Sequence, residues 1–316
     1  MGARSQLRSG SLQFWPRKKA RKFIPSVNWD AISSDKPGLM GVIGYKVGMS
    51  SAYVKDLTPN SLTKDKKIVI PVSVIEIPSI KIFSVRFYKN NIVMKEIIIG
   101  EDKELKRKVK LPKEKSKLEI DNIKDYDDIK VIIYSLVRKA RIKKTPDLAE
   151  IALSGSLDEK LKFVKENLGK EISPVEILKD ISLVDIRGLT KGKGIQGPVK
   201  RFGIKLKSHK SEKGQRRPGS LGPWHPAHVL FMAPMAGQLG MFTRIQYNSK
   251  IISLGKITEK DINPKQGWEN YGKINSEYII LQGSTPGTEK RQLLLTLPLR
   301  KTKKQVKKKF ELIKLV

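Results

Sequence analysis

Cysteine is absent from the 316-residue chain, histidine occurs three times, and aromatic residues make up 7%. Zero cysteines exclude a disulfide scaffold, a thiolate-ligated zinc site and a cysteine nucleophile. No run of 18 apolar residues occurs, so no hydrophobic transmembrane helix is expected. The basic opening segment has no apolar stretch of the kind a secretory signal needs. Gln6 stands where a myristoylation motif wants Ser or Thr. Acids are scarce too: 31 Asp and Glu face 64 Lys and Arg, a net charge of +33. A compact body with that charge repels itself and needs a polyanion to neutralise it, and nucleic acid supplies one. The length suggests about two domains, enough to bury about 75% of the unfolded surface.

The excess charge is segregated. Residues 1–29 carry Arg4, Arg8, Arg17, Lys18, Lys19, Arg21 and Lys22 and no acid. Residues 186–217 carry Arg187, Lys191, Lys193, Lys200, Arg201, Lys205, Lys207, Lys210, Lys213, Arg216 and Arg217 against Glu212 alone. Residues 300–316 carry eight bases against Glu311. Residues 101–185 instead hold 20 bases and 18 acids. Two termini and one internal loop are therefore basic. A protein with separate nucleic-acid-facing and solvent-facing parts has this pattern.

Residues 1–37 read as an extension with few apolar residues to bury. Phe14, Trp15 and Phe23 interrupt its basic run, and either tack it onto a core or stack on bases. Residues 38–100 read as strands. GLMGVIGYKVGMSSAYV is Gly-punctuated and β-branched, and IVIPVSVIEI and IKIFSVRFY alternate at period two. Residues 101–180 read as an α-rich insert, with DIKVIIYSLV as one buried strand. Thr145-Pro146-Asp147 predicts a short helix ending at Gly155. Ser156-Leu157-Asp158-Glu159 predicts a capping box, opening a helix closed by Gly169. Ser173-Pro174-Val175-Glu176 predicts a second capping box. Residues 181–187 read as a strand. Residues 188–241 hold ten Gly and five Pro with no apolar period, a long loop of the kind that is functional or disordered. Strands follow at 242–257, 277–282 and 291–299, then a basic tail. The domains are thus a 1–37 extension, a β core of 38–100 plus 242–316 with its tail, the 101–180 insert, and a 181–241 strand and loop.

Chemical motifs are few. Gly192-Lys193-Gly194-Ile195-Gln196-Gly197 matches a dinucleotide fingerprint. Pro198 and Gly203 argue against a helix opening there, and Gln215-Arg216-Arg217 stands where a ribose-binding acid belongs. Backbone freedom with interleaved lysines for phosphates is the better reading. His209, His225 and His228 lack acids to complete a metal site, so no metal and no cofactor are expected. No Gly-x-Ser-x-Gly elbow occurs, and the carboxylates interleave with lysines as a solvated face does. Trp224 lies in Gly222-Pro223-Trp224-His225-Pro226, stiffened by two prolines in a basic loop. It serves either as a core anchor or as a stacking platform for RNA.

These stretches, taken in order, resemble the universal large-subunit ribosomal protein three, the ribosomal protein L-three family. The matching pieces are Gly10-Ser11-Leu12-Gln13-Phe14-Trp15-Pro16-Arg17-Lys18-Lys19-Ala20, Pro37-Gly38-Leu39-Met40-Gly41 and Gly44-Tyr45-Lys46-Val47-Gly48-Met49. Thr190-Lys191-Gly192-Lys193-Gly194, Trp224-His225-Pro226-Ala227-His228, Ala236-Gly237-Gln238-Leu239-Gly240 and Gly283-Ser284-Thr285-Pro286-Gly287 follow. The resemblance implies a mainly β protein with an α+β insertion. Its core would be a closed β-barrel like the second domain of translation elongation factors, with a helical insert, a long basic loop and a basic extension. It also implies binding to large-subunit (23S-type) ribosomal RNA, a role in subunit assembly, and a loop running toward the peptidyl transferase centre with Trp224 at its tip. The Trp-His-Pro-Ala-His stretch and the chain length point to the archaeal branch.

The expected function is structural: a non-enzymatic, cytoplasmic constituent of the large ribosomal subunit. Its expected partners are ribosomal RNA and neighbouring large-subunit proteins, without a membrane and without homo-oligomers. The basic residues named above, with Trp15, His209, Trp224, His225 and His228, are the expected RNA contacts. A DNA-compacting protein shares the charge but needs no 50-residue Gly-rich loop. An RNA-modifying enzyme would need a catalytic constellation, and none stands out.

Overall fold

The computed structural model describes residues 14–34, 36–112, 123 and 125–316. Arg4 and Arg8 lie outside the described residues. The architecture is mainly β. In chain order the elements are β1 (Gly38–Leu39), β2 (Gly41–Asp56), β3 (Lys67–Ile77), β4 (Ile80–Lys89), β5 (Ile92–Ile98), β6 (Asp128–Ser135) and β7 (Leu148–Ser154). Then come α1 (Leu157–Glu166), α2 (Pro174–Leu178), β8 (Leu183–Leu189), β9 (Ile195–Gln196), α3 (Pro198–Phe202), β10 (Gly237–Gln238) and β11 (Thr243–Lys256). β12 (Glu277–Gln282), β13 (Gln292–Thr296), α4 (Lys303–Lys307) and β14 (Phe310–Leu315) complete the order. The chain divides into two compact units: residues 1–23 with 189–244, and residues 24–188 with 245–316.

The larger unit is built on two sheets. One runs β13-β8-β11-β12-β3-β2-β14, and β13 also pairs with β2; the other runs β1-β7-β6-β4-β5. β4 and β5, contiguous in sequence with β2 and β3, therefore join strands from residues 101–180. The main core draws on both sheets, including Ile43, Ile75, Ile279 and Leu294 from one and Val85, Phe87, Val131 and Ile151 from the other. β2 does the most pairing. Its first half pairs with β13, its second half with β14, and its other edge with β3. Gly44 is required on β2 because a Cβ there would meet Ile75 Cγ2 at 2.8 Å.

Buried polar groups are satisfied by chain-distant partners, as burial requires. The Lys46 ammonium donates to Thr285 O at 2.7 Å and Gly287 O at 3.3 Å, which ties Gly-Tyr-Lys-Val-Gly-Met to Gly-Ser-Thr-Pro-Gly. Glu76 is fully buried, and its Oε1 accepts from Asn275 N, Ser276 N and Ser276 Oγ while Oε2 accepts from Tyr271. Tyr45 donates to Asp147 at 2.6 Å and meets Ser135 Oγ at 2.7 Å, so burial, then the Asp147 charge, pushes the Tyr45 pKa well up.

Three local expectations give way to such long-range partners. The helix expected after Thr145-Pro146-Asp147 is instead β7, paired with β6 from Lys130↔Ala152 to Tyr134↔Leu148. Asp147 is buried against Tyr45 and caps nothing, and the apolar edge of β6 takes residues 148–154 as a strand. The capping box at Ser156 forms as expected, with Glu159 N donating to Ser156 Oγ and Ser156 N to Glu159 Oε2. At α2 the expected box does not form. Ser173 Oγ donates to Glu277 Oε1 at 2.6 Å and Val175 N to Glu277 Oε2 at 3.0 Å, so a carboxylate from β12 caps that helix. Residues 300–316 are not a plain basic tail: they form α4 and then β14, which pairs with β2.

Asp56 ends β2 and holds the connection to β3. Its Oδ1 accepts from Thr58 N at 2.9 Å, and its Oδ2 from Ser61 Oγ at 2.9 Å and Thr63 Oγ1 at 2.6 Å. Burial alone would raise the pKa, but the hydrogen bonds from Thr58, Thr63 and Ser61 outweigh it and lower the carboxyl to about 2. A depressed folded-state pKa contributes stability above the unfolded value that is lost as pH falls through the folded one. Asp56→Asn is expected to cost about 1.5–3 kcal/mol at neutral pH. The gap to the wild type should close between about pH 4 and about pH 2. Urea unfolding midpoints measured across that range check both halves of the expectation.

Candidate nucleic-acid interface

The smaller unit carries 18 bases and a single acid, Glu212, in its sequence. It therefore cannot balance its charge internally. Nor does it have a conventional core: among its described residues, Leu189 and Gly240 alone are buried. What organises it is a ribbon at the base of the long loop. Thr190 N donates to Phe242 O at 3.0 Å, Lys193 N to Leu239 O at 3.0 Å and Leu239 N to Gly194 O at 2.9 Å. β9 and β10 continue the ribbon, with Gly237 opposite Gln196.

Gly192 and Gly240, one from each motif, sit where the two limbs cross. Gly240 sits at φ +77°, and a Cβ there would lie 2.0 Å from Lys191 O. Gly192 faces Met241, whose Cγ a Cβ would meet at 3.0 Å. The run that matches a dinucleotide fingerprint thus serves close passage of two backbones. Pro198 does not bar a helix: it starts α3, and Gly203 in the left-handed region (φ +69°) ends it, with its N–H on Val199 O at 2.8 Å. The helix is five residues long.

Residues 14–20 are stapled to this ribbon. The Arg201 guanidinium donates to Gln238 O at 3.0 Å, Met235 O at 2.9 Å and Arg17 O at 3.4 Å. Arg17 returns a hydrogen bond to Arg201 O, and Ala20 N donates to Met241 O at 2.9 Å. Trp15 stacks on Phe202 with centroids 5.5 Å apart, and Phe231 meets Trp15 edge-on at 5.9 Å. The Arg17 guanidinium lies 4.1 Å from the centre of Phe202, with Arg201 at 5.1 Å. Arg244, which the charge pattern did not single out, lies 4.2 Å from the centre of Phe14 and 5.3 Å from that of Phe242. Guanidinium–ring stacking thus substitutes for a hydrophobic core. Burial lowers the pKa of Arg17, and burial followed by repulsion from Arg17 lowers those of Arg201 and Arg244. All three remain cations, held close together without an acid.

The expected contact residues fall into three groups. Lys18, Lys19, Arg21, Lys22, Lys191, Lys193, Lys200, Lys205, Lys207, His209, Lys210, Lys213, Arg216, Arg217, Trp224, His225 and His228 are exposed. Trp15, Arg17 and Arg201 are half-buried in the staple. Of the two readings of the N-terminal aromatics, Trp15 follows the packing one, while Phe14 and Phe23 are exposed, Phe14 with the Arg244 guanidinium over its ring. Arg187 stands apart: it is 6% exposed on β8, its Nε faces Thr296 Oγ1 at 3.4 Å, and burial lowers its pKa. Trp224 is 85% exposed, which removes the core-anchor reading. Val229, Leu230, Phe231 and Met232 beside it are exposed as well.

A family model described as ribosomal protein L3 matches residues 1–315. The chain belongs to the ribosomal protein L3 family. Large ribosomal subunit protein uL3 of Methanobrevibacter smithii is 38% identical over 316 residues, covering 95% of this chain and 93% of the relative. The uL3 proteins of Archaeoglobus fulgidus and Pyrobaculum calidifontis are 37% and 38% identical, covering 90% and 94% of this chain and 89% and 93% of the relatives. Within this L3 chain, the stapled ribbon and the exposed loop beyond it are the parts whose chemistry suits a polyanion.

The ribbon limits how much of the loop needs a ligand to order it. Amides of Thr190, Lys193, Leu239 and Ala20 are expected to resist hydrogen exchange in the free protein, and those of residues 216–229 to exchange freely. Arg201→Ala should speed exchange at Ala20 and Leu239 by about ten- to a hundredfold, about 1.4–2.8 kcal/mol of local opening energy. Exchange at β3 and β12 should not change.

Proposed function

We propose that this chain is a structural, non-catalytic constituent of the large ribosomal subunit, acting in the cytoplasm in translation. The carrying observation is a unit with 18 bases and one acid in a chain of the ribosomal protein L3 family. That unit binds large-subunit ribosomal RNA. Its exposed lysines and arginines neutralise phosphates and release counterions, each phosphate adding about 0.7–0.9 to the log–log salt slope. Such contacts position the RNA without reading its sequence, and shape and stacked bases supply specificity. Arg17 and Arg201 hold the platform, Lys191 through Arg217 line the backbone path, and Trp224 stacks at the tip, toward the peptidyl transferase centre. Neighbouring large-subunit proteins dock on the near-neutral faces, the chain acts as a single copy, and the member is of archaeal type.

The larger unit supplies the rigid base. Its seven-stranded sheet closes as a barrel of the kind found in the second domain of elongation factors. Support for closure comes from β13, which pairs with β8 on one side and β2 on the other and so joins the two ends of the five-strand run β8-β11-β12-β3-β2 into a ring of six, with β14 outside it on β2. Residues 101–180 are the insertion, contributing α1 and α2 as well as β6 and β7.

Sedimentation of a native lysate through a high-salt sucrose gradient tests this function. The chain should travel with the large subunit after the salt wash; recovery at the top of the gradient or on chromatin would refute the reading. Trp224→Ala isolates the tip. Because Trp224 is 85% exposed, the variant should keep its melting temperature within about 1 °C while peptide-bond formation in reconstituted subunits slows.

A further inference from the structure

The outer side of one corner of the seven-stranded sheet is apolar where a solvated face would be polar. On β3, Ile68, Ile70 and Val72 point into the core, and Lys67, Val69 and Pro71 point out. β2 alternates in step, with Ala52 and Val54 inward and Met49, Ser51, Tyr53 and Lys55 outward. At β14, Phe310, Leu312 and Leu315 pack inward, which leaves Glu311, Ile313, Lys314 and Val316 outside.

Register brings these outward residues together. Tyr53 stands opposite Val69 on one side and Lys314 on the other, and Ser51 stands opposite Pro71. Val316 N donates to Ser51 O at 2.9 Å, which sets Val316 beside the same row. Met49, Tyr53, Val69, Ile313 and Val316 are all exposed, Val69 by 54% and Val316 by 67%. Single exposed apolar residues need no explanation, but a group of them gathered on one sheet face marks a surface that something covers.

The border of this band decides what fits it. Lys55, Lys67 and Lys314 edge it, with Lys55 opposite Lys67. The acids on this side both sit against Lys55: Asp65 Oδ1 lies 3.4 Å from its ammonium, and Glu311 stands opposite it in register. Lys67 has no acid partner among the described residues, and the Lys314 ammonium lies over the Tyr53 ring at 5.2 Å. An RNA backbone fits poorly, because Met49, Val69, Pro71, Ile313 and Val316 offer phosphates no side-chain donor. A second copy fits poorly too. From Met49 to Lys55 across three strands the face spans about 20 Å by 10 Å. A stable dimer needs roughly 800 Å² from each partner. A second copy would also set its own lysines against these.

We infer that this face of β2, β3 and β14 receives a short segment of another protein of the large subunit, apolar at its centre and carrying Asp or Glu at its flanks. The inference rests on the large-subunit reading above and places a docking face outside the near-neutral residues 101–185. Apolar contact holds the segment, and Lys67 and Lys314 select its charge.

Photo-cross-linking tests it. Large subunits are reconstituted from ribosomal RNA, the other large-subunit proteins and the full chain carrying Val69→benzoylphenylalanine or, separately, Ile313→benzoylphenylalanine. Both side chains are exposed, and either variant alone keeps the test decisive if the other folds poorly. After irradiation, mass spectrometry of the sedimented subunit identifies the cross-linked partner. Both positions should capture the same protein segment, an apolar stretch flanked by Asp or Glu. Cross-links to RNA or to a second copy would overturn the inference. No cross-link from either position would also overturn it, leaving Tyr53 and Val69 as a cross-strand pair that serves the sheet alone. The charge requirement is read at protein concentrations where the original cross-link is half-maximal. There Lys67→Glu/Lys314→Glu should lower the yield by about two- to thirtyfold, the range for two reversed exposed pairs. Lys67→Arg/Lys314→Arg should keep it, and equal yields from the two would overturn the acidic flanks. A chain that fails to enter the sedimenting subunit would refute the ribosomal reading itself; entry without a cross-link refutes only the docking face.

Discussion

An excess of 33 positive charges has to be carried by 316 residues, and repulsion among them constrains every other choice the chain makes. The two units meet the constraint in opposite ways. The larger one holds 46 bases and 30 acids, and interleaves them. Lys160 meets Asp128 at 2.5 Å, and Arg86 reaches Glu96 at 2.9 Å and Glu150 at 3.5 Å. Such pairs contribute little individually, but they remove the like-charge penalty that would otherwise oppose burial of the sheets. The smaller unit has one acid and cannot use this device. It lays guanidinium groups on aromatic rings and points them at backbone carbonyls, which satisfies the donors and leaves the charge in place. One unit is organised to fold unaided, the other to fold as far as its charge permits.

That division decides how much of the molecule is legible in its sequence. The strands of the larger unit were legible because burial imposes a period on Val, Ile and Leu. The basic arms were legible because composition does not depend on geometry. The capping box at Ser156 was legible because both its partners lie within four residues. What escaped was everything settled at long range. Thr145-Pro146-Asp147 has the grammar of a helix start, but Tyr45 claims the Asp147 carboxylate from 102 positions away. Ser173 has the grammar of a cap, but Glu277 takes over that duty from 104 positions away. β14 escaped because lysines in residues 300–309 masked the alternation of Phe310, Leu312 and Leu315.

The loop motifs teach a related lesson. Gly192 and Gly240 look alike in sequence to the glycines of a phosphate-cradling turn, because both uses need a backbone without side chains. Only the partner differs: a pyrophosphate in one case, the opposite limb of the same loop in the other. The collision at Gly240 identifies the second. Trp15 and Trp224 make the same point for aromatics. Both sit among cations and prolines, yet one is a packing element and the other stands in solvent, and nothing in their immediate neighbours separates them.

The staple between Arg17 and Arg201 joins positions 184 residues apart. A ribosome elongates at about 5–20 residues per second, so the first half of that contact waits on the order of 10–40 s for its second half to be made. Through that interval Arg17 lacks the Phe202 ring and the Arg201 carbonyl that it later engages. Any anion it meets competes with a loop that has not yet been synthesised. Order of emergence, rather than strength of contact, then sets which partner the segment engages first.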